Sequence, residues 1–420
     1  MSMKNLLNRR FSLLGTSSPL FYEKPLHLIK GEDVWLFDNE GRRYLDAYNN
    51  VAHVGHCHPE VVSALTKQAK TLNTHTRYLH EEILNYGEKL IESFDSSLSM
   101  LNLCCSGTEA NELALRIAKS NTGADGVIVT DFCYHGNSES ISRISTAFAD
   151  PENRSKNVET IKFPDPYRES LQLHEFSSQV TNSINLLSER GYKPAALIID
   201  TIFATEGMPK LKKDFVRTAI ELVRKAGGLY VADEVQPGFG RTGTNMWGYQ
   251  LYGIVPDLVT LGKPMGNGFP LAGVVGKSDL IEEFGKLTSY FNTFGGSPVA
   301  AVVGLTVLEI IYKENLMENA LKVGNYLRSR LQKLAHKYDI LGDVKGYGLF
   351  VGVDIIKDRR SKTPATSVAH QLVNSMKEQG VLISQTGRDD NILKIRPPMT
   401  FSHNNADFLI QTLDHCLDKL

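Results

Sequence analysis

The stretch DFVRTAIELVRKAGGLYVAD, Asp214–Asp233, decides the fold. Val216, Ala219, Ile220 and Val223 recur at i, i+3, i+4 and i+7, which makes one face of a helix apolar. Gly227-Gly228 stops that helix, because glycine readily takes the left-handed conformation of a helix end. Gly228–Asp233 (GLYVAD) then reads as a short buried strand ending in an acid. The same alternation extends outward on both sides. Buried strands are read at Gly126–Thr130 (GVIVT), Ala195–Asp200 (AALIID), Asp257–Leu261 (DLVTL) and Leu271–Gly276 (LAGVVG). Ala110, Leu113, Ala114, Ile117 and Ala118 form a second apolar helical face. Strands alternating with helices predict an α/β fold whose mostly parallel sheet is covered on both sides. Ligands of such sheets bind beyond the carboxyl ends of the strands, which directs attention to Asp200 and Asp233.

From about residue 305 the pattern changes to long helices, then short strands near Gly342–Ile356 and Ile392–Ile395. We expect a large domain over residues 55–310 and a smaller α+β domain over 311–420, completed by residues 1–54. Lys plus Arg number 46 against 47 Asp plus Glu, so no broad field is offered to nucleic acid or an anionic membrane. A small molecule is the expected partner. The five cysteines, Cys57, Cys104, Cys105, Cys133 and Cys416, are odd in number and contain no Cys-x-x-Cys pair. That usage fits a reducing, cytoplasmic setting. No apolar run reaches membrane-spanning length. Residues 1–22 carry Lys4, Arg9 and Arg10 and no acid, a composition shared with organellar transit segments. The simpler reading, a flexible basic arm, is preferred.

Three stretches could carry chemistry. Ser106–Asn111 (SGTEAN) opens the Ala110 helix with hydroxyls and a glycine, a good cradle for a phosphate at a helix N-terminus. An ordinary N-cap would look the same. Asp233, at the end of an apolar strand, needs a cation or a protonated nitrogen, or else a backbone amide. Lys263, in DLVTLGKPMGNG (Asp257–Gly268), follows a strand inside a glycine-rich turn. Withdrawn from water, such an amine becomes a usable nucleophile, whereas a surface lysine would merely snorkel. Together the three describe one cofactor, with a phosphate cradle, an acid for a ring nitrogen and a lysine for an aldehyde.

At this point the sequence resembles the class III (omega) aminotransferases, pyridoxal-phosphate enzymes of fold type I. The likeness is carried by SGTEAN (106–111), Tyr134-His135-Gly136, ADEVQPGFGRTG (232–243), PDLVTLGKPMGNG (256–268), FNTFGGSPV (291–299) and, upstream, NVAHVGHCHP (50–59). It runs over nearly the whole chain after residue 20. The resemblance implies that Lys263 carries pyridoxal 5'-phosphate as a Schiff base and that Asp233 pairs with the ring nitrogen. It implies that Ser106, Gly107 and Thr108 hold the phosphate, that Tyr134, beside His135, stacks on the ring, and that Gln236 bonds near the phenolic oxygen. Thr293 would reach the cofactor of a neighbouring subunit, implying a homodimer with shared sites; a tetramer stays open. Arg396 matches a position that often binds a substrate carboxylate, and Tyr48 falls in the expected substrate pocket. No metal is expected: His53, His56, Cys57 and His58 have ligand chemistry, but the matching segment reads as a turn near the cofactor. Gly238–Gly243 fits G-x-G-x-x-G by letter, yet lacks the strand–turn–helix context of a dinucleotide site.

Two departures bear on the reaction. Asp200-Thr201 stands where many transaminases of the class carry Glu-Pro, and Arg77, in NTHTRYLH (73–80), is a cation outside their pattern. Both, with NILKIRPPM (391–399), resemble a branch of phospho-lyases acting on ethanolamine phosphate and related amino-phosphates, where Arg77 could hold a substrate phosphate. Arg77 in a surface salt bridge is the plain alternative. Transamination between an amine or amino acid and a keto acid is the expectation, because the class mostly performs it; phospho-lyase activity stands beside it. A catalytically silent protein of this fold is disfavoured by the intact Lys263 and Asp233.

Overall fold

A computed structural model describes residues 3–148 and 155–420. Helix α1 (Met3–Leu14) lies within the segment read as a basic arm and buries none of its side chains. Strands β1 (Leu28–Glu32), β2 (Trp35–Asp38) and β3 (Arg43–Asp46) form an antiparallel meander, followed by α2 (Pro59–Thr71) and α3 (Glu81–Ile91). The alternating region comprises β4 (Met100–Cys104), α4 (Gly107–Thr122), β5 (Gly126–Thr130), α5 (Glu139–Ile144), β6 (Val158–Ile161), α6 (Leu173–Glu189), β7 (Pro194–Asp200), α7 (Lys213–Lys225), β8 (Leu229–Asp233), β9 (Leu258–Leu261) and β10 (Ala272–Gly276). Helices α8 (Ser278–Leu287), α9 (Pro298–Lys313) and α10 (Leu316–Lys337) lead to β11 (Leu341–Tyr347) and β12 (Phe350–Ile355). Then come α11 (Thr366–Glu378), β13 (Val381–Leu382), β14 (Ser384–Thr386), β15 (Ile392–Ile395) and α12 (His403–Leu417).

The large sheet has the order β4-β10-β9-β8-β7-β5-β6. Strands β5 to β9 pair in parallel, whereas β10 is antiparallel to both β9 and β4. The cause is local. Gly262–Leu271, which carries Lys263, joins β9 to β10 without a crossover helix, and a parallel neighbour would require one. Successive residues of β7 serve opposite sides. Leu197 and Ile199 pack with Phe215, Val216 and Ile220 of α7, while Ala196 and Ile198 join Ala110, Leu113 and Ile117 of α4. Helix α7 ends as its glycines dictate: Gly227 takes φ +93°, its N–H bonds to Arg224 O at 2.9 Å, and Gly228 N–H bonds to Val223 O at 3.0 Å.

A second sheet, β11-β12-β15-β14, is antiparallel. The C-terminal β13 instead pairs in parallel with β3, joining Val381 to Leu45 and Leu382 to Asp46, so the first fifty residues are tied to the last forty. At the carboxyl ends of the large sheet, the register of β7 on β8 sets Asp200 directly beside Asp233.

Candidate active site

Asp233 ends β8 and is 3% exposed. Its carboxylate accepts hydrogen bonds from Val235 N at 3.0 Å and Asn111 Nδ2 at 3.0 Å, and its Oδ2 lies 2.7 Å from His135 Nδ1. Burial opposes a charge on His135, but Cys133 and the Asp233 carboxylate that face it push its pKa well above the ordinary imidazole value. His135 Nε2 is buried and without a hydrogen-bond partner. Asn111 is a functional residue to which the sequence reading gave no role. From α4 it donates to both Asp233 and His135 O, and its Oδ1 accepts from Thr260 Oγ1 at 2.8 Å. The available signal was a polar side chain on the buried face of that helix, three residues before Ala114.

Lys263 begins the turn after β9 and lines one cavity together with Asp233, Gly107, Thr108, Tyr134, His135, Val235 and Gln236. Among the described residues its amine makes no hydrogen bond or ion pair. Burial first, then the Arg396 charge, hold its pKa below the ordinary lysine value, with Asp233 and Asp200 opposing. The free N–H groups at the start of α4 open on the same cavity through Gly107 and Thr108. A Cβ on Gly107 would lie 2.8 Å from Val235 Cγ1, and one on Gly262 would lie 3.3 Å from Gly107 N, so glycines keep this cradle open. An aromatic ring carrying a phosphate, an aldehyde and a basic nitrogen fits these three groups: helix terminus, unpaired amine and anchored carboxylate. Gly107→Val is expected to weaken cofactor affinity by about tenfold or more, given overpacking costs of about 1–3 kcal/mol. Titration of the apoprotein with cofactor, read by fluorescence, checks this.

Gln236 links Asp200 to Arg396. Its Nε2 donates to Asp200 Oδ2 at 3.3 Å and its Oε1 accepts from Arg396 Nη1 at 2.5 Å. Arg396 also donates through Nε to Tyr48 O and stacks over the Tyr48 ring at 4.6 Å. Burial, then the adjacent Asp233, push the Asp200 pKa up to about 6. A carboxyl raised in the folded state contributes stability that is complete below its unfolded value and is lost as pH rises through about 6. Asp200→Asn is therefore expected to gain about 3 kcal/mol relative to the parent between pH 4 and pH 7. Denaturant unfolding at both pH values checks it, and a pH-independent difference would contradict it.

The other expected residues differ in their placement. Ser106 Oγ is committed to capping α4, accepting from Glu109 N at 3.2 Å. Thr108 lines the cavity, but its hydroxyl donates to Asn137 Oδ1 at 3.2 Å. Tyr134 stands edge-on to Phe148. Arg77 and Thr293 are exposed and line no part of this chain's Lys263 cavity; the Arg77 guanidinium stacks over Phe291 at 3.8 Å, two residues from Thr293. The histidines of the upstream segment take separate partners: His53 with Phe239 O, His56 with Asp46 Oδ2 and His58 with Glu314 Oε1. After Gly243 the chain continues into bends and a short 3-10 turn (Gly248–Leu251), not an α-helix.

The aminotransferase class-III family model matches residues 21–417. The chain belongs to the class-III aminotransferases. The enzyme is dependent on pyridoxal phosphate, as its family is, and its fold is type I. It is 44% identical to a phospholyase from Arthrobacter solved in complex with phosphoethanolamine, covering 99% of this chain and 100% of that one, with a TM-score of 0.96. It is 40% identical to the mitochondrial alanine–glyoxylate aminotransferase 2 homolog 2 of Arabidopsis thaliana, covering 99% of this chain and 87% of the relative. The ethanolamine-phosphate phospho-lyase homolog 1 of Caenorhabditis elegans shares 33% identity over 99% of this chain and 94% of its own. Among the described residues, no helix of this class-III enzyme is long and apolar enough to cross a membrane.

Proposed function

We propose that this enzyme is a phospho-lyase that eliminates phosphate from a short amino-phosphate such as O-phosphoethanolamine. The observation that carries the reading is the 44% identity, over essentially the full length of both chains, to a phospholyase in complex with phosphoethanolamine. Transamination is the second reading, favoured by the 40% identity to an alanine–glyoxylate aminotransferase homolog.

Bound pyridoxal phosphate supplies an electron sink for the pair left when a C–H bond beside the substrate nitrogen breaks. The chain's own residues do the rest. Gly107 and Thr108, at the α4 terminus, hold the cofactor phosphate. Asp233, anchored by Asn111, His135 and Val235 N, would hold a proton at the ring nitrogen. The Lys263 amine removes the proton from the substrate carbon. In the lyase the electron pair then expels phosphate from the next carbon, and the unsaturated amine takes up water to give an aldehyde and ammonia. A transaminase instead returns the proton from Lys263 to the cofactor side and passes the nitrogen to a keto acid. Arg77 stacks on Phe291, and the exposed Leu79, Thr293 and Phe294 lie within three residues of that pair in sequence, which supports a homodimer in which a second copy covers them.

The test is incubation with O-phosphoethanolamine without any keto acid. Phosphate, ammonia and aldehyde are expected in equal amounts. No phosphate, together with turnover of alanine and glyoxylate, overturns the reading in favour of transamination.

A further inference from the structure

Lys394 is 8% exposed, and among the described residues its ammonium has no hydrogen-bond or ion-pair partner. Strand alternation puts Ile392, Lys394 and Arg396 on one side of β15. Ile392 packs with Ile202, Ala204 and Met208 of the segment after β7, so that side turns toward the carboxyl ends of the large sheet. The sheet neighbours of Lys394 are Gly352 and Ser384, and neither supplies a counter-charge. The Phe350 ring lies 5.5 Å from Lys394 Nζ and 5.8 Å from Arg396 Cζ, so the two cations flank one aromatic face. They differ in availability. Arg396 has Nε and Nη1 already occupied by Tyr48 O and Gln236 Oε1, while Lys394 is unengaged.

The charge balance points the same way. Lys263, Lys394 and Arg396 are close enough to oppose one another electrostatically, and the carboxyl groups acting on them are Asp46, Asp200, Glu206 and Asp233, of which burial holds Glu206 well above the ordinary carboxyl value. Asp233 already faces His135. Burial, then Arg396, hold the Lys394 pKa well below the ordinary lysine value, with Asp200 drawing it up and Lys263 pressing it down. A buried amine without a partner is costly, and an incoming anion relieves that cost. The cofactor's phosphate would have its own cradle at the α4 terminus, which follows β4 of the large sheet, whereas Lys394 lies on the second sheet.

We propose that Lys394 is a specificity residue that receives the terminal oxyanion of the substrate. This rests on the substrate being an amino compound with such a group, a phosphate in the lyase reading or a carboxylate in the transaminase reading.

The test uses the cofactor-loaded enzyme with Lys394→Met and Lys394→Arg. Inorganic phosphate binding is read from the visible absorption of the bound cofactor. The KM for O-phosphoethanolamine is compared with that for ethanolamine, and the KM for β-alanine with that for propylamine. In the methionine variant, inorganic phosphate affinity and the preference for the phosphorylated amine are each expected to fall about tenfold or more, as loss of a charge-assisted hydrogen bond implies. The arginine variant should recover most of both. A loss confined to β-alanine supports Lys394 with carboxylate as the oxyanion. Unchanged anion affinity and preference, or equal KM increases for charged and neutral amines, overturn the proposal. A parent enzyme that binds inorganic phosphate in a Lys394-dependent way, yet releases none from O-phosphoethanolamine, removes the lyase reading alone.

Discussion

Lys263→Ala is expected to lower turnover by about 10⁴-fold while leaving the fold intact, because general-base catalysis alone contributes about 10²–10⁴-fold and the covalent anchor is lost with it. The stability side of this expectation is as specific as the catalytic one. The amine has no hydrogen bond or ion pair among the described residues, and burial depresses its pKa. Its removal therefore breaks no hydrogen bond or ion pair among the described residues and relieves a desolvation cost. Equilibrium unfolding should show a change within about 1 kcal/mol, or a small gain, well under the cost of breaking a buried ion pair. A small exogenous amine should restore part of the lost rate, since the substitution leaves a space where the proton carrier stood. Steady-state kinetics with and without added methylamine checks the pair of expectations. Turnover within tenfold of the parent would remove Lys263 from the chemistry.

How far the sequence shows this arrangement differs from residue to residue. Gly126–Thr130 coincides with β5 because a continuous apolar run, buried at every position, leaves no competing period. Met100–Cys104 escaped notice because four of its five residues are only half-buried and Asn102 interrupts the run. The antiparallel β10 follows from its short link to β9, but the sequence reading placed it only within a mostly parallel sheet. Asp233 stands out because it ends an apolar strand, and Lys263 because it follows one by two residues. Their neighbour Asp200 was noticed for the same reason, yet its pairing with Asp233 depends on strand register, which tertiary contacts set. Asn111 was hidden inside a motif whose hydroxyls and glycine drew the reading toward phosphate. Lys394 gives no signal of its own within NILKIRPPM, because only the assembled sheet shows that Arg396 is hydrogen-bonded and Lys394 is not. The roles that the resemblance gives Arg77 and Thr293 would need a second copy, and in this chain both are exposed.

Asp233→Asn should cost both stability and rate. In the parent, the carboxylate takes hydrogen bonds from Val235 N and Asn111 Nδ2 and faces His135 across 2.7 Å. An asparagine amide presents an NH₂ toward a donor on one side and leaves the buried imidazolium without its counter-charge. Removing one member of a buried charged pair costs about 3–5 kcal/mol. The pH dependence follows from the raised His135 pKa, to which Cys133 and then Asp233 contribute against burial. The folded imidazole holds its proton to higher pH than the unfolded one. The stability it contributes is complete below the unfolded value near about 6.5 and is lost as pH rises through the raised folded value. The penalty in Asp233→Asn should thus be largest near neutrality or below and shrink at alkaline pH, where the parent loses the same interaction. In the proposed reaction the carboxylate would also fix the proton on the ring nitrogen, so kcat should fall by about 10²–10³-fold, the usual cost of deleting one electrostatic contributor to a transition state. Unfolding at two pH values and kinetics on the cofactor-saturated variant separate the effects. A stability penalty that grows with pH would place the proton on Asp233 instead of His135, and would require a different donor for the ring nitrogen.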